Sequence, residues 1–364
     1  MNNQPSTINY PLHSLKSGKW FKLICGASYQ HLPAVRSLTL AYTLAGADCI
    51  DVAADQAVIT AAKEGLKIAN SLQKKAAAFG LTPGKPWLMV SVNDGEDPHF
   101  RKAFFDVTLC PPDCPRPCEK ICPAAAIDFS GVIASRCYGC GRCLSVCPQE
   151  LIVAQSDVSK REAIAPLIAR MGIDALEIHT QVGHEADFQA LWQVILPQID
   201  KLKLLAISCP DSPDLIPYLQ YLYNLMSPLP CPLIWQTDGR PMSGDLGKGT
   251  TSATVKLGQK VLTANLPGYV QLAGGTNNHT VSKLKAKGLL APTPLTKARG
   301  IESWQRNYQS QFVAGIAYGS YARSLLAPLL EKLVKMNDNQ LENHPDLLKE
   351  AVITASTLVS QIKN

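Results

Sequence analysis

Eight of the chain's twelve cysteines lie within one short stretch, and their spacing carries most of the chemistry visible in the sequence. They form two runs, Cys110-x3-Cys114-x3-Cys118-x3-Cys122-Pro123 and Cys137-x2-Cys140-x2-Cys143-x3-Cys147-Pro148. The second run matches at every position the C-x2-C-x2-C-x3-C-P spacing of thiolate loops that hold iron–sulfur cubes. The sequence therefore predicts two clusters, most simply both [4Fe–4S].

In this spacing the first three cysteines of a run bind one cube, and the fourth reaches across to the other. Cluster one would then take Cys110, Cys114, Cys118 and Cys147. Cluster two would take Cys137, Cys140, Cys143 and Cys122. We expect the fourth cysteine of each run to begin a helix, because the proline that follows suits a first helical position. The stretch is predicted to be a bacterial ferredoxin-like domain.

The first run departs from the usual pattern, because its spacings are x3 and its loop is rich in proline. This geometry could leave one iron corner labile, so a [3Fe–4S] form of cluster one is an alternative. Zinc is a second alternative, since closely spaced cysteine pairs also bind zinc. Zinc sites, however, use about four ligands in two separated pairs. Eight cysteines with two Cys-Pro endings favour iron–sulfur clusters.

Short apolar runs alternate with segments of helical period along the rest of the chain. The eight runs are Phe21–Gly26, Cys49–Ala53, Trp87–Val92, Ala175–His179, Leu202–Ser208, Pro232–Gln236, Tyr269–Ala273 and Ala314–Tyr318. Continuous apolar strands between helices indicate a parallel sheet buried on both faces. Eight such units predict an α/β fold of the (β/α)8 (TIM) barrel type. An open doubly wound sheet is the main rival.

The cysteine stretch interrupts this alternation after the third strand, at the end of a barrel where active sites usually lie. We therefore divide the chain into a barrel of two parts, 18–108 and 156–335, with an iron–sulfur insert at 109–155. An N-terminal tail covers 1–17. A C-terminal helical tail covers 336–364, with an amphipathic helix near 345–362.

Glycine-rich turns follow the seventh and eighth predicted strands, at Gly274-Gly275 and Gly319-Ser320. In barrels these turns often bind phosphate through backbone amides. They predict a flavin or another phosphate-bearing ligand; the alternative is that the glycines only make tight turns. The stretch 239–252 is predicted to be a mobile lid, and its Gly247-Lys248-Gly249 does not fit a nucleotide-triphosphate loop.

Other candidate catalytic groups are few. His179 and His184 flank a strand end, and we interpret them as structural. Lys22 and Lys203 lie early in their predicted strands, which is the wrong end of a barrel for catalysis. This placement weakens the case for an enzyme.

Composition limits the remaining possibilities. The net charge of +6 over 364 residues is mild, and no basic run resembles a nucleic-acid-binding arm. The first 17 residues lack a signal-peptide core, and no stretch approaches the roughly 18 apolar residues that span a bilayer. Clustered cysteines fit local metal ligation in a reducing compartment. We expect a cytoplasmic protein without a transmembrane segment.

The two cysteine runs, together with 238–245 (DGRPMSGD) and 274–277 (GGTN), resemble the cyanobacterial light-dependent period protein family. The resemblance implies an iron–sulfur protein that reports cellular redox state, and hence light, to the circadian clock. It also implies contact with clock-input proteins, including a sensor histidine kinase and the Kai oscillator components. The alternative function is a flavin-dependent oxidoreductase, in which the clusters feed electrons to a flavin bound in the barrel.

Overall fold

A computed structural model describes residues 11–78, 82–156, 158, 160–239, 250–291 and 312–364. The strands are β1 (Trp20–Gly26), β2 (Cys49–Ala53), β3 (Trp87–Asn93), β4 (Arg101–Phe104), β5 (Ile127–Asp128), β6 (Gly131–Val132), β7 (Val153–Ser156), β8 (Ala175–His179), β9 (Leu204–Pro210), β10 (Leu233–Asp238), β11 (Tyr269–Ala273) and β12 (Gly315–Tyr318). Most of the predicted lid and the whole Gly247-Lys248-Gly249 segment lie outside the described residues, as do the first ten residues of the predicted tail.

Eight of these strands close into a parallel barrel in the order β1-β12-β11-β10-β9-β8-β3-β2. Closure is direct, because β1 pairs in parallel with β2 on one side and with β12 on the other. The predicted (β/α)8 barrel is confirmed, and the rival open sheet is wrong because this sheet has no free edge.

Most of the described helices alternate with the strands and cover the outside of the barrel, and one short helix lies in the cysteine insert. They are α1 (Pro11–Lys16), α2 (Leu32–Leu44), α3 (Gln56–Ala78), α4 (Pro117–Ile121), α5 (Arg161–Met171), α6 (Glu185–Ile195), α7 (Leu215–Met226), α8 (Thr250–Thr263), α9 (Thr280–Ala286), α10 (Ser320–Lys335) and α11 (Pro345–Lys363). The C-terminal helix α11 packs against α2 and α10. None of the described helices combines the length and the apolar character needed to cross a bilayer.

The inside of the barrel is layered along the strands. Near the amino-terminal ends, the inward side chains form an apolar cluster of Leu15, Trp20, Cys49, Met89, Ala175, Leu204, Ala206, Ile234, Tyr269 and Ala314. Two positions further along six of the strands, the inward residues are Lys22, Asp51, Ser91, Glu177, Gln236 and Gln271, all buried. Because side chains in a strand alternate between faces, this step of two keeps the same face and moves toward the barrel mouth.

The cysteine stretch is an insert between β3 and α5, as predicted. Its chain leaves and returns through an antiparallel pair, β4 and β7, in which Phe104 pairs with Val153. The short hairpin β5–β6 and the helix α4 lie inside the insert. An apolar cluster of its own includes Cys118, Cys137 and Cys143. The insert therefore has a small core, separate from the core of the barrel.

Candidate iron–sulfur centre and the adjoining barrel mouth

The insert brings the eight cysteines together in two groups. Desolvation raises the pKa of the Cys110 thiol, and the nearby Cys114 and Cys147 raise it further. In the second group, burial raises the pKa of Cys143 to about 12, with added effects from Cys140, Cys137 and Cys122. Cys118 belongs with the first group, because burial raises its pKa and the nearby Cys147 raises it further. Cys122, Cys137, Cys140 and Cys143 line one small cavity. Each group thus contains three cysteines of one run and the last cysteine of the other. This grouping agrees with the crossed assignment made from the spacing; ligation itself stays a prediction.

The local structure around the fourth cysteines differs from the expectation. Cys122 ends the helix α4 rather than beginning one, and its backbone N–H donates to the Glu119 carbonyl at 3.3 Å. Cys147 lies between two turns. The prediction that the fourth cysteine of each run begins a helix is therefore wrong. Few residues separate Pro123 from β5 at Ile127, and Pro148 from β7 at Val153, so the chain must turn at once.

Backbone N–H groups donate hydrogen bonds to cysteine sulfurs of the second group. The Ala103 N–H donates to Cys137 Sγ at 3.4 Å, and the Ala126 N–H donates to Cys122 Sγ at 3.2 Å. Apolar side chains surround the sulfurs, among them Ala124, Ile127, Val132, Leu144, Val146 and Ile152. Hydrogen bonds to sulfur and a shell that limits water are the features by which proteins hold and tune iron–sulfur clusters. The described residues of the insert therefore fit such clusters.

The loop of the second run reaches the mouth of the barrel through Tyr138. Its ring packs edge-on against Tyr29, with ring centres 5.8 Å apart. The Arg323 guanidinium lies 4.1 Å from the centre of the Tyr138 ring, a distance at which cation–π attraction is significant. Arg323 also donates to the carbonyls of Ile24 at 2.9 Å and Cys25 at 3.0 Å, at the end of β1. Arg323 thus contacts both the loop of the second cysteine run and the end of β1.

A cavity of about 90 Å³ lies between this loop and the barrel interior. The four residues predicted to bind a cofactor, Gly274, Gly275, Gly319 and Ser320, all line it. Cys140 of the second run lines it as well. The wall on the barrel side carries His99, His179 and Asp238. The structure therefore brings the predicted phosphate turns and one predicted cluster ligand to the same cavity.

A buried charged network centred on Lys22 adjoins the cavity, which Asp51 and Glu177 line. Its ammonium contacts Glu177, lies 3.1 Å from Asp51 Oδ2, and donates to Gln236 Oε1 at 3.0 Å. The Ser91 hydroxyl donates to Asp51 Oδ1 at 2.8 Å. Lys22 does lie early in β1, as predicted, but its side chain is buried inside the barrel and is connected through Glu177 to His179 at the barrel mouth.

Burial and neighbouring charges oppose each other in this network. Burial lowers the pKa of Lys22, but Asp51 and Glu177 outweigh it and raise that pKa above its ordinary value. Burial likewise opposes ionisation of Glu177, yet Lys22 and His179 hold its pKa below the usual range. Asp51 differs, because burial and the Glu177 charge raise its pKa despite Lys22. Buried charges of this kind are costly and concentrate at functional sites.

His179 and His99 extend the network into the cavity. His179 Nε2 lies 2.9 Å from Glu177 Oε1, and His99 Nε2 lies 3.1 Å from Asp238 Oδ2. Asp97 lies between the rings, with Oδ1 2.8 Å from His99 Nδ1 and 3.5 Å from His179 Nδ1. His179 therefore lies between two carboxylates, whereas His184 pairs separately with Asp94.

Sequence reasoning missed most of this site. The available signal was a charged residue at the third position of three otherwise largely apolar strands, namely Lys22, Asp51 and Glu177. Asp97 and His99 gave no periodic signal, because they come from the short loop after β3. Their proximity to His179 is a tertiary contact that one sequence does not show.

Comparison with known protein families gives matches for the cysteine insert and for most of the chain that follows it. Residues 110–158 match the family described as LdpA Fe-S cluster-binding domain, and residues 167–361 match Light dependent period A C-terminal domain. A curated relative, "Light dependent period A" of Synechococcus elongatus (strain ATCC 33912 / PCC 7942 / FACHB-805), is 52% identical over 359 residues. That match covers 98% of this chain and 95% of the relative.

Solved structures give weaker likenesses. The tryptophan synthase alpha subunit of Legionella pneumophila str. Paris aligns with a TM-score of 0.42 and 12% identity over 97% of each chain. N-acetylneuraminate lyase of Mycoplasma synoviae, crystal form II, aligns with a TM-score of 0.35 and 11% identity, covering 94% of this chain and 80% of the lyase. Likenesses at this level carry no conclusion about the activity of this chain.

Proposed function

Since the chain belongs to the light dependent period A family and contains that family's iron–sulfur-binding domain, we propose that it is a redox sensor that relays cellular redox state to the circadian clock. The proposed clusters are two [4Fe–4S] centres, with a [3Fe–4S] form of cluster one as the variant. The proposed ligands are Cys110, Cys114, Cys118 and Cys147 for one cluster and Cys122, Cys137, Cys140 and Cys143 for the other. Iron–sulfur clusters supply reversible one-electron transfer when bound.

One observation supports sensing more than any other: the Tyr138–Arg323 contact joins the cluster loop to the barrel. Tyr138 follows Cys137 directly in the sequence, so its position depends on the sulfur ligands beside it. Arg323 holds the last carbonyls of β1 and donates to the Ser320 hydroxyl at 3.1 Å. A change in the negative charge on the neighbouring sulfurs would alter the attraction on Arg323.

Arg323 would pass this change on to the end of β1. A weaker or stronger pull on its guanidinium changes how firmly it holds the carbonyls of Ile24 and Cys25. Those carbonyls lie next to Gly26, where the pairing register of β1 with β2 shifts. We expect the redox state to change how often the backbone hydrogen bonds at the barrel mouth open. We propose that partner proteins bind this face.

The test is hydrogen exchange measured by mass spectrometry on the full chain with its clusters, oxidised and then reduced by dithionite under anaerobic conditions. We expect segments containing Ile24 and Arg323 to differ in exchange between the two states. In Tyr138→Leu the difference should shrink several-fold, because the contact that joins loop and barrel is lost. Tyr221→Leu, on an exposed position of α7, is the matched control and should keep the wild-type difference.

Identical exchange in both redox states everywhere outside the insert would contradict the sensing proposal. A redox difference that persists unchanged in Tyr138→Leu would leave sensing but would exclude this contact as its route.

The relative's name connects it with light and with period. We propose for this chain the partners that the family resemblance implies, a sensor histidine kinase and the Kai oscillator components. The barrel mouth and the adjoining insert form the face whose conformation depends on the clusters under this proposal, so we expect binding strength to differ between oxidised and reduced chain.

A second candidate function is favoured by one specific observation. The glycine turns at Gly274-Gly275 and Gly319-Ser320 share a cavity with Cys140, so a phosphate-bearing flavin there would adjoin the predicted second cluster. The chain would then be an oxidoreductase in which electrons pass between cluster and flavin. We expect flavin extraction from anaerobically purified protein to decide between the candidates. Stoichiometric flavin favours the oxidoreductase, and iron without flavin favours the sensor.

A further inference from the structure

We propose that Asp97, His99 and His179 bind a divalent transition-metal ion at the barrel mouth, separate from the cysteine ligands. One donor atom from each of these residues can be chosen so that all three lie within 4.8 Å of one another. Asp97 Oδ1 is 2.8 Å from His99 Nδ1 and 3.5 Å from His179 Nδ1. Ligands about 2.0–2.2 Å from a common zinc ion are separated by roughly these distances.

The outer nitrogen of each imidazole is already held by a second carboxylate. His99 Nε2 faces Asp238 Oδ2 at 3.1 Å, and His179 Nε2 faces Glu177 Oε1 at 2.9 Å. Histidines that ligate metals almost always donate their other N–H to such a group, which fixes the tautomer and the ring orientation. A proton on each Nε2 leaves the Nδ1 lone pairs directed toward Asp97. Both imidazoles that face Asp97 therefore have a second carboxylate at the opposite ring nitrogen.

The charge around these residues calls for a cation. Four carboxylates converge here, and among the described residues Lys22 is the one lysine or arginine that contacts them. They belong to Asp51, Asp97, Glu177 and Asp238. Asp238 is 4% exposed, and its Oδ1 is buried without a hydrogen-bond partner in the described structure. Because unpaired buried charge is costly, a divalent ion at this point would offset much of the imbalance.

The loop that carries two of the ligands is ordered by its own contacts. The His99 N–H donates to Asp97 Oδ1 at 2.7 Å, and the Phe100 ring packs edge-on against the His179 ring with centres 5.2 Å apart. Two histidines and one carboxylate beside an open cavity form the ligand set of catalytic zinc and non-haem Fe²⁺ sites, which keep positions free for water or substrate. His99 and His179 both line the cavity described above.

The probe is Zn²⁺ alone, because imidazole and carboxylate ligands bind zinc and Zn²⁺ has no redox chemistry of its own. The full chain with filled clusters is treated with a mild chelator and dialysed anaerobically against Zn²⁺. Zinc and iron are then counted in the same sample. We expect the wild type to retain one zinc more per chain than His99→Gln. Asp238→Asn, which keeps all three ligands, should bind zinc about 10- to 100-fold more weakly.

The matched control is His344→Gln, because His344 Nε2 also faces a carboxylate, Asp338, at 3.1 Å but lies in the C-terminal segment. It should retain zinc as the wild type does. Zinc bound to stray thiols would be equal in all variants, since every one keeps the eight cysteines. Circular dichroism and iron content show whether His99→Gln is folded, and Asp238→Asn replaces it if it is not. Equal zinc retention or affinity in the wild type and the folded variant would overturn the proposal in favour of protons shared between the rings and carboxylates.

Discussion

A chain carrying Cys122→Ala and Cys143→Ala should lose about half of its iron and keep one cluster intact, although the two cysteines belong to different runs. The reason is that Cys122 and Cys143 line the same small cavity, together with Cys137 and Cys140. A cube needs four protein ligands. Removing two from one group should empty that group, while the Cys110, Cys114, Cys118 and Cys147 group keeps all four.

The informative comparison is Cys118→Ala with Cys122→Ala, which removes two neighbours from one run. Under the crossed assignment each cluster loses a single ligand, so both electron paramagnetic resonance signals should change. If each run instead held its own cluster, the two double variants would exchange behaviour. Iron and sulfide counts with spectra of the reduced protein distinguish these results. Cys231→Ala, a partly buried thiol outside both runs, should leave iron content unchanged.

Replacing Lys22 by Met should lower the free energy of unfolding by about 3–5 kcal/mol, the usual cost of removing one partner from a buried ion pair. Methionine keeps the unbranched shape, so the loss is one of charge rather than volume. Asp51 and Glu177 would remain buried without their ammonium. Chemical denaturation followed by far-ultraviolet circular dichroism under anaerobic conditions measures the change.

The matched control is Lys203→Met, because Lys203 pairs with Asp174 at 2.6 Å but is 59% exposed. Exposed pairs of this kind contribute at most about 1 kcal/mol. An equally small loss for Lys22→Met would contradict the importance of the interior network.

The loss of stability in Lys22→Met should also depend on pH, and the lowered pKa of Glu177 determines the direction of this dependence. Lys22 and His179 hold the pKa of Glu177 down to about 2 in the folded chain, against burial, from an ordinary value of 4.5. The stability gained from this lowered pKa is present above the ordinary value and disappears as pH falls through about 2. The difference between wild type and Lys22→Met should therefore be largest near neutral pH and should shrink in acid.

Strand positions were predictable because both faces of a parallel barrel strand are buried, so each strand reads as a continuous apolar run. β2, β8 and β11 begin and end where the sequence predicts. β9 begins two residues later than predicted, at Leu204, because a 3-10 helix extends through Lys201 just before it. Local propensity does not resolve such a boundary.

The charged interior was harder to predict for a different reason. The position of Lys22 along β1 was predicted correctly. Whether its side chain points into the barrel or outward depends on how the barrel closes, and the sequence does not show this. Once the register is known, Lys22 and Asp51 follow as residues two places beyond the apolar cluster. Asp97 and His99 depend on how one loop folds over the mouth, and neither hydrophobic period nor spacing specifies that path.

The two-stranded connection between barrel and insert has a consequence for how such a molecule could arise. Phe104 and Val153 are directly paired neighbours, so the chain enters and leaves the cysteine-bearing module at nearly one point. Paired residues on adjacent antiparallel strands lie only about 5 Å apart, a gap that a two-residue hairpin turn closes. The remaining scaffold would keep its strand order and its loop bearing Asp97 and His99. The cysteine-bearing module is thus arranged as a cassette, which an ancestral gene could have acquired, or a descendant could lose, without rebuilding the barrel beneath it.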